Sequence, residues 1–246
     1  MAKKAVFLDF DGVLFDTIKE AYCISLITGN MAKAIGSIKF DSKHFKLFKK
    51  YRFLIGCAQD YYYLLELIGA KMADKRIDVQ KIFELRRNPE SEGCRKFKKR
   101  FFGIRKYIKE KYPDYWLSLN KPYNFLYGIA GLIENNKDKF FIITTKDRET
   151  VLRLLNINKI GFKKDNIYDE KFYRKFNSKS HIIKFIKTRN FIKESIFVDD
   201  SKMHLRSCES IAGLDTVQAG WGYTSRSNGS SSEKEVLSKI KKFLEV

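Results

Sequence analysis

Cysteine and histidine are scarce and scattered in this chain of 246 residues. The four cysteines, Cys23, Cys57, Cys94 and Cys208, form no Cys-x-x-Cys pair, which argues against both a zinc site and a disulfide scaffold. They read as buried or incidental thiols in a reducing compartment. The three histidines, His44, His181 and His204, are too few and too far apart for a histidine-rich metal site. No apolar run approaches the ~18 residues that a membrane span requires, so no membrane partner is expected. The opening Met1-Ala2-Lys3-Lys4 has the charge of a signal peptide without its apolar stretch, because Asp9 and Asp11 interrupt it. The expected location is cytoplasmic. No internal repeat is evident. One low-complexity stretch, Ser225–Ser232, reads as a mobile loop rather than a linker, since too little chain follows it for another domain.

What is present is apolar and basic. Hydrophobic residues make up 44% and aromatics 15%, enough to pack one large domain or two modest ones. The formal net charge is +20. Such a charge suits nucleic acid, an anionic surface or an anionic substrate, and a Lys-rich compositional bias of the source genome would produce it equally well.

Short apolar strands alternate with helical patterns. Ala5–Asp9, Phe140–Thr144, Ser195–Asp199 and Thr216–Ala219 read as strands, with a weaker candidate at Asn166–Tyr168. Helical periodicity marks Tyr123–Lys137, Glu149–Leu155, Lys179–Thr188, Met203–Ile211 and Lys234–Leu244. The alternation predicts an α/β fold with a doubly wound parallel sheet. The interval after the first strand is far longer than a βαβ crossover needs, and it reads helical almost throughout, at Ile18–Ile27, Phe45–Ile55, Tyr61–Ile68, Val79–Leu85 and Phe97–Ile108. The expected organisation is an α/β core of residues 1–16 and 123–246 with an inserted helical domain, 17–122. That insert holds 24 Lys and Arg against 11 Asp and Glu, a balance of +13. Its densest run, Arg95 to Lys106, interleaves aromatics as a nucleic-acid surface does. The favoured alternative is an amphipathic helix with Phe97, Phe101 and Ile104 inward and a solvated basic face. Nucleic acid is thus a possible partner but not the favoured one.

The chemistry concentrates at Asp9-Phe10-Asp11-Gly12-Val13-Leu14-Phe15-Asp16-Thr17. An apolar strand ends in two carboxylates two residues apart, which share one face. Like charges so close repel unless a cation, a proton or phosphoryl-transfer chemistry accounts for them. Gly12 lets the backbone turn tightly and brings amide N–H groups close to a ligand. Other strands also end in polar residues, Thr144-Thr145-Lys146 and Asp199-Asp200-Ser201, while Lys179 begins a helix after Asn177-Ser178. Open α/β sheets bind their ligands at such carboxyl ends.

This set resembles the phosphatase branch of the haloacid dehalogenase-like superfamily, whose members carry a helical cap after the first strand. Asp9-x-Asp11-Gly12-Val13-x-x-Asp16-Thr17 is similar to the first motif nearly letter for letter. Thr144 matches the second, Lys179 the third, and Asp199-Asp200 the fourth. The match covers the core, and the insert agrees in position and helical character only. The resemblance implies an Mg²⁺-dependent phosphatase acting on a small phosphorylated metabolite, a sugar phosphate or nucleotide. Asp9 would attack phosphorus to form an aspartyl-phosphate, and Asp11 would act as general acid and then base. Mg²⁺ would be held by the Asp9 carboxylate, the Asp11 backbone carbonyl and Asp200. Gly12, Thr144 and Thr145 would bind phosphoryl oxygens, Lys179 would neutralise charge, and Asp199 and Asp16 would support the site.

One departure is His204, where many members of that superfamily have Asp or Asn four residues after the metal-binding Asp; it leaves open what supports the metal from behind. Mg²⁺ prefers oxygen, so His204 is not expected as a direct ligand. His181 reads as structural or solvated, and His44, between lysines, as a surface residue. Arg52 and Tyr51, or Tyr61–Tyr63, are possible substrate contacts, with ordinary packing favoured. Asp11 favours phosphate-ester hydrolysis over dehalogenation, which has no leaving oxygen to protonate. The alternatives are a phosphotransferase or mutase, a basic nucleic-acid-binding module, and a nucleic-acid end-phosphatase.

Overall fold

The computed structural model describes residues 3–32, 35–224 and 229–245. The chain enters through β1 (Lys3–Leu8) and a two-residue strand β2 (Phe15–Asp16). A helical stretch follows: α1 (Ile18–Thr28), α2 (Lys43–Lys50), α3 (Tyr61–Ala73), α4 (Val79–Arg86), α5 (Glu92–Lys111) and α6 (Pro113–Ser118). It returns through β3 (Lys121–Pro122), α7 (Asn124–Asn135), β4 (Phe140–Ile143) and α8 (Arg148–Ile157). Then come β5 (Ile167–Tyr168), α9 (Glu170–Phe176), α10 (Lys179–Asn190), β6 (Ile192–Asp199), α11 (Lys202–Arg206), β7 (Leu214–Gln218) and α12 (Glu233–Glu245). The chain divides into two compact units, Met1–Asp16 with Lys121–Val246, and Thr17–Asn120. No helix among the described residues is long and apolar enough to cross a membrane.

The first unit is the doubly wound α/β sheet that the strand pattern predicts. Its strand order is β5-β4-β1-β6-β7 and every pairing is parallel. β1 is central because Val6, Phe7 and Leu8 are apolar on both faces and are fully buried. Ala5 and Phe7 pack with Phe141, Ile143, Ile182, Ile183, Ile186 and Phe197 on one face, and Val6 and Leu8 point to the other. Register then positions the chemistry. Leu8 pairs with Ile142 on one side and Val198 on the other, so Asp9, Ile143 and Asp199 come next in one row across the sheet. The Asp9 amide continues that ladder, donating to Val198 O at 2.9 Å.

Two helices and one pairing were not evident from periodicity. α6 and α9 are too short for a repeating pattern, and β2 pairs with β3 through two residues on each side, Phe15 with Pro122 and Asp16 with Lys121. The helix expected over Met203–Ile211 stops at Arg206. Ser207, Glu209 and Ser210 continue as turns, with Cys208 N donating to Leu205 O and Ile211 N to Cys208 O. Of the low-complexity segment, residues 225–228 lie outside the described residues. Its end is sheet-bound, not loose: Ser231 bridges Ala219, and its amide donates to Gln218 O at 2.9 Å. Backbone pairing needs no apolar side chains, which is why composition missed it.

In the second unit α1 is buried nearly all round, including Glu20, whose carboxylate accepts from Trp116 Nε1 at 3.0 Å and Arg105 Nη2 at 3.1 Å. The basic run forms α5, an amphipathic helix capped by Ser91, with Cys94, Phe97, Phe101 and Ile108 inward. Ile104 is only half-buried, and Arg95, Lys96, Lys99, Arg100 and Lys106 are exposed. Tyr61 is stacked between Phe48 and Phe101, and the Arg52 guanidinium lies 5.6 Å from its ring centre, so both contribute to packing. His44 is not a free surface residue. It is half-buried, its Nδ1 is 3.0 Å from the Tyr22 hydroxyl, and burial lowers its pKa.

Candidate active site

The carboxyl edge of the sheet gathers most of the residues that the sequence singles out. Asp9, 6% exposed, follows β1; its Oδ1 accepts from Phe10 N at 2.7 Å and lies 2.8 Å from Lys179 Nζ. Lys179 is the first residue of α10. Asn177 ends α9 in the left-handed conformation, and Ser178 caps α10 through His181 N at 3.2 Å. That turn directs a buried ammonium back toward the strand ends. It also donates to Asp199 Oδ2 at 2.7 Å. Asp199 ends β6, and its Oδ1 accepts from Ser201 N at 2.7 Å. His181 is exposed and bonded locally to Ser178 and Phe176.

His204 reaches this cluster through Asp199, its Nδ1 3.2 Å from Oδ2. The ligand atoms of Asp9, Asp199 and His204 lie within 4.8 Å of one another. The Lys179 ammonium already contacts both carboxylates there, so a cation among those three would have to displace it.

Asp200 faces the loop after β1. Its Oδ2 accepts from Tyr223 N at 2.6 Å, and its carbonyl accepts from Gln218 Nε2 at 3.1 Å. Two glycines make room for it. Gly12 has φ +92°, and a Cβ there would lie 2.4 Å from Asp200 Oδ2. A Cβ on Gly222 would lie 2.3 Å from Gly12 O and 2.5 Å from Asp200 Cβ. Asp16 is tied to the same loop, accepting from the Tyr223 hydroxyl at 3.0 Å.

Asp11 is engaged by a residue outside the predicted set: the buried Lys146, with Nζ 3.1 Å from Oδ1. Thr144, 1% exposed, accepts from Lys146 N at 3.1 Å, and the half-buried Thr145 shares none of these bonds. Sequence reasoning therefore missed Lys146, Tyr223 and Gly222. A lysine two residues beyond an apolar strand was a usable signal for the first; nothing local marked the others.

Electrostatics divide the carboxylates. Burial works to raise Asp199, but Lys179 and His204 outweigh it and hold this carboxyl well below the usual range. Burial likewise works to lower Lys179, and the carboxylates of Asp199 and Asp9 more than reverse that, so it stays charged. Asp9 carries the remaining penalty. Burial pushes it well above its ordinary value, Lys179 offsets this in part, and Asp199 and Asp200 add to it. Asp200 thus lies close enough to Asp9 for the two carboxylates to repel. A hard cation on the oxygens of Asp9 and Asp200 fits that donor set and would offset the repulsion.

No family model and no curated protein matches the chain. Solved structures do. A predicted phosphoglycolate phosphatase from Haemophilus somnus superposes with a TM-score of 0.60 at 16% identity, covering 97% of this chain and 98% of its own. A haloacid dehalogenase-like family hydrolase from Streptococcus pneumoniae gives 0.53 at 15%, covering 97% and 98%. A HAD family hydrolase from Deinococcus radiodurans, with bound phosphate and sodium, gives 0.53 at 12%, covering 98% and 96%. At such identities the likeness speaks for architecture. Together with the parallel sheet and the acidic loop after its central strand, these superpositions give the chain the fold of the haloacid dehalogenase-like hydrolases.

Proposed function

We propose that this protein is a divalent-cation-dependent phosphatase that hydrolyses a small phosphorylated metabolite through an aspartyl-phosphate on Asp9. The observation that carries the reading is Asp9 itself, a buried carboxylate held 2.8 Å from the Lys179 ammonium at the end of the central strand. Support also comes from the structures of the same fold, one of which is described as a predicted phosphoglycolate phosphatase.

In this reading the Asp9 carboxylate attacks phosphorus and the ester oxygen leaves, which splits one hydrolysis into two steps. Asp11 supplies the proton to that oxygen and later takes one from the attacking water. Lys179, held by Asp199, neutralises charge on the transferring group, and the Thr144 hydroxyl and the amides around Gly12 bind its oxygens. Asp9, Asp200 and the Asp11 carbonyl would hold Mg²⁺, which would screen the negative charge on the nucleophile and the phosphate. The first unit carries the chemistry, and the helical unit serves as the cap that selects the substrate. The basic face of that unit is a solvated helix face under this reading.

The test is phosphate release from a panel of phosphorylated metabolites, with Mg²⁺ or with chelator, for wild type and Asp9→Asn. The expected result is Mg²⁺-dependent turnover of at least one ester, lowered roughly 10⁴-fold or more by the substitution. Equal release by the two proteins, or none from any ester, rejects the reading.

A further inference from the structure

Lys146 is a buried cation with no part in the chemistry above. Its side chain is 1% exposed, and its Nζ lies 3.1 Å from Oδ1 of Asp11, whose own side chain is 18% exposed. We propose that Lys146 is a positioning residue that fixes the Asp11 carboxyl with Oδ1 against the ammonium, so that the proton a leaving-group oxygen takes is carried on Oδ2. The kinetic half of this proposal rests on the phosphatase reading; the geometric half does not.

Lys146 is a rigid point of contact for Asp11. Lys146 is fixed at both ends of its backbone: its amide donates to Thr144 Oγ1 at 3.1 Å, and its carbonyl accepts from Glu170 N at 3.3 Å. The next residue, Asp147, caps α8 through Thr150 N at 2.8 Å and accepts from the Thr150 hydroxyl at 2.7 Å. The root of the lysine side chain therefore cannot drift, and full burial confines the rest. Asp11 sits on a partly open turn, immediately before Gly12 at φ +92°. A short carboxylate there has alternative staggered rotamers, and contact with an immobile ammonium selects one. A proton donor must lie within hydrogen-bond reach of the oxygen it serves, and small displacements cost large factors in rate.

A purely stabilising role is a poor account of this lysine. Burying an ammonium is costly, and a buried ion pair exchanged as a whole for apolar side chains is often neutral or favourable. The pair is therefore a poor device for stability alone, although removing the ammonium by itself takes its compensating charge from the partly exposed Asp11 carboxylate. Direct binding of phosphate by Lys146 is the other rival, and it predicts a different kinetic pattern.

The variant that separates these is Lys146→Met. Its crystal structure should show the Asp11 carboxylate in another rotamer or in two; a carboxylate in its original place overturns the proposal. In steady-state kinetics with Mg²⁺, kcat/KM for an alkyl phosphate, whose leaving oxygen needs a proton, should fall on the order of 10²-fold. The fall for p-nitrophenyl phosphate, whose leaving group does not, should be at least about ten-fold smaller. Equal losses for the two esters, or weakened inhibition by inorganic phosphate, point to phosphate binding or general damage and overturn it. If wild type hydrolyses neither ester, the phosphatase reading has failed, and the Asp11 rotamer alone decides the role of Lys146. Should the methionine variant not fold, Lys146→Gln, which is uncharged and shorter, is read by the same two measurements.

Discussion

Replacing Lys179 by methionine tests the electrostatic account of the site without requiring turnover. The ammonium is 1% exposed and lies 2.8 Å from Asp9 and 2.7 Å from Asp199. Removing one partner of a buried ion pair costs about 3–5 kcal/mol, because the other charge stays buried without compensation. Here two carboxylates lose it. Asp9 is already pushed toward its neutral form, so it takes up a proton and escapes much of the penalty. Asp199 keeps its bond from Ser201 N. The cost should therefore fall near the lower end, about 3 kcal/mol. For a chain of this size that is a fall in Tm of roughly 6–12 °C. Differential scanning calorimetry at pH 7.5 in chelator reads it directly. The decisive part is a double-mutant cycle. Asp199→Asn should destabilise wild type, since it removes one of the lysine's two carboxylates. In the Lys179→Met background it should be neutral or stabilising, since it removes an uncompensated charge. Additivity of the two single effects within about 0.5 kcal/mol, or a Lys179→Met shift under about 2 °C, refutes the reasoning.

Three further outcomes follow from other observations. Gly222→Ala must push Gly12 O and Asp200 apart and should cost about 1–3 kcal/mol, whereas Gly131→Ala, in α7 with open space around its Cβ, should stabilise by about 0.4–1 kcal/mol; thermal melts that rank them otherwise reject the steric argument. His44 has a folded pKa below its ordinary value of about 6.5 because it is buried. The native state therefore binds fewer protons, the histidine's contribution is complete above about pH 6.5, and it is lost as pH falls through the window beneath. His44→Gln should flatten the decline in Tm between pH 7 and pH 5, and parallel declines for the two proteins would count against this. Burial, with Asp60 beside it, pushes the Cys57 thiol up to about 12. Ellman's reagent at pH 8 should modify it roughly 10³-fold more slowly than a free cysteine, and rapid modification assigned to Cys57 by its absence in Cys57→Ser would show the thiol to be ionised.

Much of the fold was legible because strand and helix periodicities are local properties. β1, β4 and β6 are short apolar runs that belong between covering helices, and α5 separates Phe97 and Phe101 from its lysines by spacing alone. Where the local signal weakens, so did the reading: α9 is seven residues long, and the Met203–Ile211 pattern contains serines that prefer turns. Residues expected at the site from motif order behave unevenly. Lys179, Asp9 and Asp199 form one bonded cluster, while the Thr144 hydroxyl oxygen also accepts from the backbone turn that carries Lys146, with its O–H left to donate. His204 illustrates the reverse case, an odd residue whose partner, Asp199, only the coordinates identify.

By itself, the order of residues determined that an apolar strand would end in two carboxylates and a glycine, and that other strands of the same sheet would end in hydroxyls and acids. Tertiary structure decided who pairs with whom. The register of β1 against β4 and β6 puts Asp9 level with Asp199, a distant helix start supplies the ammonium between them, and Tyr223 closes on Asp200 from 23 residues away. The reason is physical: a periodicity reports which face a side chain takes, whereas a buried charge finds its partner only when separate segments pack and water is excluded between them.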